Sequence, residues 1–216
     1  MFVGRCEEIA AVQHELAAGR NVVLVGRYGI GRTALVRQVA ARVGAGRRFV
    51  FLDFASTPAT MCRSIHEELF PARGRARRAV PRSFRATRSL LLRDAPATSR
   101  PPVLVLDGIA RLTAPKLDLM HALAKTGRFG FVAVAEAFLP PRDLLRVRTA
   151  LFPNVLLRLG PLGRRESEEF FAEASERFGL GWTAQHLRLL ASTRHGYPLA
   201  MAETVARDLR RAGRRS

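Results

Sequence analysis

The sequence predicts an α/β protein in which helices cover both faces of a parallel five-stranded sheet, with a small helical lid at the C-terminus. Up to residue 160, short and almost wholly apolar runs alternate with segments of helical periodicity. After Pro161 the periodicity stays helical, with no strand between the helices. We therefore divide the chain into an α/β core over residues 1–160 and a helical lid with a basic tail over residues 161–216.

The elements can be assigned in order along the chain. The first helix is predicted over residues 7–18, because Ile9, Val12 and Leu16 share one face and Gly19 can end it. Apolar runs predict strands at residues 21–25, 48–53, 103–107, 129–135 and 155–157. Helical periodicity predicts the intervening helices at residues 34–40, 60–69, 83–92, 116–124 and 143–151. The helices of the lid are predicted at residues 165–178, 184–192 and 199–211.

The turn between the first strand and the next helix reads Gly-Arg-Tyr-Gly-Ile-Gly-Arg-Thr over residues 26–33. This is the spacing of a nucleotide phosphate-binding loop, whose backbone N–H groups surround phosphate oxygens at a helix N-terminus. Arg32 stands where lysine is usual, and its wider, planar guanidinium is expected to preserve phosphate binding better than hydrolysis. The predicted nucleotide contacts in and beside this loop are Gly26, Arg27, Tyr28, Gly29, Ile30, Gly31, Arg32, Thr33 and Ala34.

Carboxylates at predicted strand ends are the candidates for metal binding and catalysis. Asp107 ends an apolar strand, so it is predicted to hold Mg²⁺ together with the Thr33 hydroxyl. The next residue is Gly108. In many ATPases with this kind of phosphate loop, a glutamate stands at that position and orients the attacking water. Glu136 and Asp53 also follow strands, at the edge where doubly wound sheets bind ligands. Asp107 and Glu136 are the predicted catalytic residues, with Asp53 as a further candidate base; Asp53 and Glu136 are also plausible helix caps or solvated residues.

The formal net charge of +18 predicts an anionic partner. Its densest part is an arginine cluster between residues 71 and 100, and no base-reading element accompanies it. Contacts with the phosphate backbone of nucleic acid, DNA in the first instance, are therefore expected, although a solvated surface explains the same cluster. The predicted nucleic-acid contacts are Arg73, Arg75, Arg77, Arg78 and Arg82.

Several function classes are disfavoured by composition. Cys6 and Cys62 match no metal-ligand spacing, so no structural metal is expected. No apolar stretch approaches the length of a membrane span, and residues 1–5 lack the start of a signal peptide. We expect a cytoplasmic protein without membrane contact.

The block Phe2-Val3-Gly4-Arg5, the phosphate loop, Asp107, the strand before Glu136 and the C-terminal Gly196-Tyr197-Pro198 together resemble the AAA+ ATPases. The similarity is to the branch shared by archaeal and STAND-type ATPases, replication initiators and transposition regulators. It covers nearly the whole chain and is weakest over residues 71–100.

The resemblance implies roles for particular residues. It implies ATP or ADP with Mg²⁺ as cofactors, with Val3 and Arg5 near the adenine. Tyr197 and Pro198 would contact the nucleotide from the lid, and Glu136 would take the place of a polar sensor near the γ-phosphate. Three arginines lie where an arginine finger could reach a neighbouring subunit, namely Arg142, Arg146 and Arg148.

Two functions remain open from the sequence. The first is an ATP-binding module with impaired hydrolysis that assembles with itself or a partner and acts with DNA, as in transposition or replication. The second is a degenerate scaffold or STAND-like switch without turnover, favoured by Arg32 and Gly108. Whether the chain is an enzyme stays undecided at this level.

Overall fold

The computed structural model describes residues 2–70, 83–94 and 100–212, and within these ranges it has the predicted α/β architecture. The strands are β1 (Asn21–Gly26), β2 (Phe49–Asp53), β3 (Val103–Ile109), β4 (Gly130–Glu136) and β5 (Asn154–Arg158). The helices flanking the sheet are α1 (Cys6–Ala17), α2 (Arg32–Val43), α3 (Pro58–Leu69), α4 (Phe84–Asp94), α5 (Ala114–Lys125) and α6 (Pro141–Ala150). The C-terminal helices are α7 (Arg164–Phe178), α8 (Ala184–Thr193) and α9 (Pro198–Ala212).

The five strands form one parallel sheet in the order β2-β3-β4-β1-β5. Parallel pairing places all strand carboxyl ends at one edge of the sheet, which we call the carboxyl edge. The register sets Gly26 opposite Glu136 and Asp53 opposite Asp107. The fold therefore brings the glycine loop and three of the carboxylates identified in the sequence to one edge.

The apolar strands are buried on both faces, which explains why they lack a polar alternation. In β1, Val22 and Leu24 pack with α1 and α2, whereas Val23 and Val25 belong to the core under the helices α3 to α6. A sheet with two hydrophobic faces is stable only when helices cover both. The predicted fold class is confirmed.

The C-terminal helices have a hydrophobic cluster of their own. Phe170, Phe171 and Met201 are buried in it, and Val3 from the N-terminus joins them. The start of the chain thus packs against its last three helices. None of the helices within the described ranges is long and apolar enough to cross a membrane.

Candidate nucleotide-binding site

The loop from β1 to α2 has the backbone conformation that an anion cradle needs. Gly29 and Gly31 have φ values of +78° and +93°, in the left-handed region that glycine adopts without strain. At Gly26, a Cβ atom would come within 2.7 Å of Ile30 Cγ2 and 3.3 Å of Arg32 Cδ. Helix α2 begins at Arg32, so its first N–H groups and the positive end of its dipole face the loop.

Arg32 is turned toward the neighbouring strand and is only 7% exposed. Its Nη1 donates to the backbone oxygen of Ala135, and its Nη2 donates to Glu136 Oε1, both at 2.5 Å. The Glu136 side chain is itself 12% exposed, so the two charges form a largely buried ion pair. A cation at a helix N-terminus is unfavourable on its own, and Glu136 supplies the compensating anion. The second carboxylate oxygen of Glu136 has no hydrogen-bond partner among the described residues.

Thr33 and Asp107 are brought together as a metal site requires. The Thr33 hydroxyl donates to Asp107 Oδ1 at 2.9 Å. Within the described ranges, no group of three or more His, Cys, Asp or Glu side chains could hold a metal ion. A pair of oxygen donors nevertheless fits Mg²⁺, because this ion usually keeps several waters and completes its coordination with substrate phosphates.

Gly108 occupies an irregularity in β3, where the register with β4 shifts between Leu106 and Ile109. Its φ of +76° is a conformation that glycine adopts freely and a glutamate does not. This position therefore lacks an acid, and its backbone conformation also disfavours one. Asp53, the other candidate base, is exposed and accepts a hydrogen bond from the N–H of Ala55 at 2.8 Å.

A cavity of about 720 Å³ lies over the loop at the carboxyl edge of the sheet. This volume is within the usual range for small-molecule sites. Among the residues predicted to bind ligand, those lining it are Tyr28, Gly29, Gly31, Arg32, Thr33, Ala34, Asp107, Glu136 and Pro198. Asp53, the further candidate base, also lines it, and the residues added by the structure are Arg37, Phe51, Leu52, Gly108 and Leu199.

Some of these added residues had a signal in the sequence. Arg37 is four residues beyond Thr33, so it lies on the same face of α2. Phe51 precedes Asp53 by two residues and shares its face of β2. The Arg37 guanidinium stacks over the Phe51 ring at 5.1 Å from its centroid. Nothing in the sequence pointed to Leu199.

The start of α9 rests directly on the phosphate loop. The Leu199 N–H donates to the Gly29 oxygen at 3.1 Å, and the Tyr197 hydroxyl donates to the Tyr28 oxygen. A Cβ atom at Gly29 would come within 2.7 Å of the Leu199 side chain. The C-terminal helices are therefore in contact with the loop through both backbone and side chain.

Val3 and Arg5 lie outside the lining of this cavity. Val3 packs with the C-terminal helices, and Arg5 is buried, donating to Glu8 Oε1 at 2.8 Å and to the Gly160 oxygen at 2.5 Å. The Arg5 backbone N–H donates to Glu166 Oε1 at 2.8 Å. These contacts join the N-terminal block to the start of α7, and adenine contact by Val3 and Arg5 stays a prediction.

The remaining predicted residues have other surroundings. Ile30 is buried in the core, Gly26 ends β1, and Arg27 is exposed. The five arginines predicted to bind nucleic acid, from Arg73 to Arg82, lie outside the described residues. The three candidates for an arginine finger lie on α6. Arg142 is exposed, Arg146 forms an ion pair of 3.3 Å with Asp143, and Arg148 donates a hydrogen bond of 3.2 Å to Asn154.

Comparison with known proteins places this site in context. A search among functionally characterised proteins returned no significant sequence match. The structure of the Aeropyrum pernix Orc1 protein in complex with DNA is similar over 100% of this chain and 62% of that one, with a TM-score of 0.72 and 17% identity. Cdc6p from Pyrobaculum aerophilum covers 99% of this chain and 64% of its own, with a TM-score of 0.65 and 15% identity.

The Thermotoga maritima RuvB Holliday junction branch migration motor is similar over 95% of this chain and 62% of that one, with a TM-score of 0.63 and 16% identity. The present chain spans less than two thirds of the length of each of these three proteins. At such identities the similarity establishes the fold, which is that of AAA+ P-loop ATPases.

The sequence itself also matches a family model, that of the AAA ATPase domain, over residues 1–134. The resemblance inferred from the N-terminal block, the glycine loop and Asp107 is thereby confirmed. ATPases of this family generally use a nucleotide and Mg²⁺. Since the match covers more than half of its 216 residues, the chain belongs to the AAA ATPase domain family.

Proposed function

We propose that this chain binds ATP or ADP with Mg²⁺ and hydrolyses ATP slowly or not at all. The observation that carries the proposal is the buried pair of Arg32 and Glu136 beside an otherwise well-formed phosphate loop. The loop supports binding, and the pair opposes turnover. The residues that would hold the nucleotide are those lining the cavity at the carboxyl edge.

Binding is supported by groups that do not depend on Arg32. The N–H groups at the start of α2 form an anion cradle at a helix N-terminus, and the positive φ values of Gly29 and Gly31 give the loop the curvature that this cradle needs. The Thr33 hydroxyl and the Asp107 carboxylate would hold Mg²⁺, which neutralises phosphate charge when bound. Arg37 adds an exposed cation to the cavity lining.

Slow turnover is supported by what each candidate catalytic group does in this chain. The guanidinium of Arg32 is committed to Glu136 and Ala135, so stabilising phosphate charge would require breaking a buried pair. Glu136 is engaged by Arg32 and is a poor candidate for activating water. Gly108 offers no side chain at the usual position of the base.

We further propose that residues 161–216 act as a lid that responds to nucleotide. The contacts of Tyr197 with Tyr28 and of Leu199 with Gly29 connect this segment directly to the phosphate loop. Residues 1–160 would then form the nucleotide-binding core. Self-association, with Arg142, Arg146 or Arg148 facing a neighbouring copy, is part of the same proposal.

A role with DNA is proposed from charge and from the similar structures. The chain carries a net charge of +18, and the similar Orc1 structure is a complex with DNA. Binding through backbone phosphates would be steeply salt-dependent and only weakly dependent on base sequence. Arg73, Arg75, Arg77, Arg78 and Arg82 remain proposed contacts for this partner.

The test compares nucleotide binding with ATP turnover. Calorimetry with ATP and Mg²⁺ on the parent is expected to show uptake, and phosphate release by the parent is expected to stay near background. Arg32→Lys is expected to raise phosphate release, whereas Asp107→Ala should abolish any turnover and weaken the effect of Mg²⁺. Absence of uptake by the parent, with ATP or with ADP, would refute the proposed function.

A second candidate is a scaffold or STAND-like switch without nucleotide chemistry. The observation favouring it is the direct seating of Leu199 on Gly29, through which the chain's own contacts join the C-terminal helices to the loop. The same calorimetry separates the two candidates, because a scaffold of this kind would take up no nucleotide.

A further inference from the structure

A second cavity, of about 670 Å³, opens at the opposite edge of the sheet, where the strands begin. Its walls come from the starts of β1, β2 and β4, the segments before β3 and β5, and the C-terminal ends of α1, α2 and α5. Three arginines line it, Arg20, Arg47 and Arg100, and the described lining includes no acidic residue. We call it the amino-edge cavity.

Arg47 gives this cavity a positive charge that no acidic residue of its described lining offsets. Arg20 is paired with Glu15, which lies outside the lining. Arg47 is half-buried and donates to neutral acceptors, the Leu16 oxygen at 2.8 Å and the Pro101 oxygen at 2.7 Å. Burial, together with the nearby charge of Arg100, lowers the pKa of Arg47 below its ordinary value. An anion in the cavity would relieve the repulsion between these two side chains.

Aromatic rings line the same cavity. Phe152 is 81% exposed, the largest exposure among the large apolar side chains of the described ranges. Phe49 and Phe129 complete an apolar wall. A phenylalanine this exposed leaves most of its ring in water, where a stacked partner would cover it. An open ring and arginines that line one groove are the combination by which many proteins bind single strands, with bases stacked on the ring and phosphates held by the cations.

We propose that the amino-edge cavity binds single-stranded nucleic acid, with backbone phosphate near Arg47 and Arg100 and an unpaired base on Phe152. The inference rests on the nucleic-acid part of the proposed function and gives it a location that the predicted arginine cluster does not include. A duplex fits the cavity poorly, because its bases are stacked on one another and unavailable to the ring. The cavity volume is sufficient for one nucleotide unit.

The test uses the full chain and a fluorescent oligothymidylate of about 12 nucleotides, a length that spans a typical single-strand site. Phe152→Ala is expected to weaken binding about tenfold, the loss of one stacked base. Arg100→Gln is expected to weaken binding and to reduce the slope of log affinity against log salt by about one phosphate contact. A duplex of equal length should bind more weakly and should be insensitive to Phe152→Ala.

Matched controls are available elsewhere in the fold. Phe138→Ala removes a 69% exposed phenylalanine at the carboxyl edge, and Arg188→Gln removes an exposed arginine on α8. Both are expected to bind the oligonucleotide within about twofold of the parent, a change too small for a lost stacked base. Unchanged melting temperatures of Phe152→Ala and Arg100→Gln would show that the variants are folded.

Two results would overturn the inference, and they differ in what else they affect. If the parent binds the single strand and both cavity variants match their controls, the cavity is not the site and the proposed function stands. If the parent binds no single strand even at low salt, the cavity and the nucleic-acid role both fail. Nucleotide uptake by calorimetry then decides independently whether the rest of the proposed function survives.

Discussion

The ion pair of Arg32 and Glu136 changes how a phosphate can bind in the loop. In a phosphate loop with lysine, the cation at the start of the helix is available to the nucleotide. Here the same position carries a guanidinium bonded to Glu136, so a carboxylate of the chain already serves as the anion. Their low exposure reduces screening by solvent and salt. A phosphate entering the loop therefore competes with Glu136 for Arg32.

Glu136→Gln should separate these two effects. Removal of the carboxylate charge leaves Arg32 buried without a counter-ion, so the free energy of unfolding is expected to fall by about 1–3 kcal/mol. ATP with Mg²⁺ should bind more tightly, because the guanidinium no longer has an internal anion. Calorimetry and melting temperature with and without ATP measure both effects. Glu173→Gln, an exposed change on α7, is the control, and an ATP affinity no higher than the parent's would contradict the competition.

Gly108→Glu is expected to leave ATP turnover unrestored. A Cβ atom at this position meets no heavy atom within 4 Å, but the φ of +76° costs a side-chain-bearing residue about 1–2 kcal/mol. The strain can be relieved only by moving the backbone next to Asp107. Urea denaturation should show the loss, and Gly108→Asn, which tolerates this conformation better, should lose less. A clear gain in phosphate release by Gly108→Glu would show that the backbone is no obstacle.

The reactivity of the two cysteine thiols reports whether the core around Cys62 is folded. Burial raises the pKa of the Cys62 thiol from an ordinary 9.0 to about 11, whereas Cys6 is exposed. A thiol reagent at pH 8 should therefore modify one cysteine in the folded chain and two after unfolding. Because the unfolded chain loses its Cys62 proton first, stability should fall as the pH rises from 9 to 11. Cys62→Ala should show a weaker decline over the same range, and rapid modification of both thiols in the folded chain would contradict this assignment.

At the scale of secondary-structure elements, most of the fold could be predicted from the local pattern of apolar and polar residues. The apolar runs and the periodicity of the helices predicted every described strand and α-helix to within about three residues at each end, but not the short 3-10 helix at Gly44–Gly46. The contacts that define the site could not be predicted in this way, because they join distant parts of the chain. Arg32 and Glu136 are separated by 104 positions, and either residue alone fits several roles. The placement of Val3 among the C-terminal helices likewise depends on packing that no local pattern records.

The joint between the N-terminus and α7 is an element-scale feature that can be tested at Gly4. Its φ is +71°, and a Cβ atom there would overlap the Glu166 carboxylate that accepts from the Arg5 and Gly163 N–H groups. Gly4→Ala combines backbone strain with loss of these bonds, so unfolding free energy should fall by about 2 kcal/mol or more.

The control for this change is Gly179→Ala. Gly179 has a similar φ of +63°, but a Cβ atom there meets nothing within 4 Å. It should lose only the part due to backbone strain, about 1 kcal/mol. Equal losses in the two variants by urea denaturation would show that the contact with Glu166 contributes nothing.

At the scale of the whole molecule, two contacts among the described residues join the C-terminal helices to the rest of the chain through hydrogen bonds. One is the joint of Gly4 and Arg5 with Glu166 in α7, and the other is the contact of α9 with the phosphate loop. The first lies outside the lining of the nucleotide cavity, whereas the second involves the Gly29 backbone itself. We therefore expect the second attachment, more than the first, to depend on the conformation of the loop.

This arrangement predicts that nucleotide binding changes the exchange of backbone amides with solvent at the start of α9. In the parent, ATP with Mg²⁺ should alter hydrogen exchange around Leu199, because phosphate in the loop and the Leu199 N–H bond to Gly29 share one backbone segment. Leu199→Ala removes the side chain that covers Gly29, so the exchange of α9 should be faster without nucleotide and should respond less to it.

Leu189→Ala is the appropriate control for that experiment. This leucine is 60% exposed on α8, away from the residues lining the nucleotide cavity, so its removal should leave the response of α9 unchanged. ATP uptake without any change in α9 of the parent would show that the contact with the loop does not transmit the nucleotide state. A response of α9 that is lost in Leu199→Ala and kept in Leu189→Ala can arise only through the side chain seated on the loop.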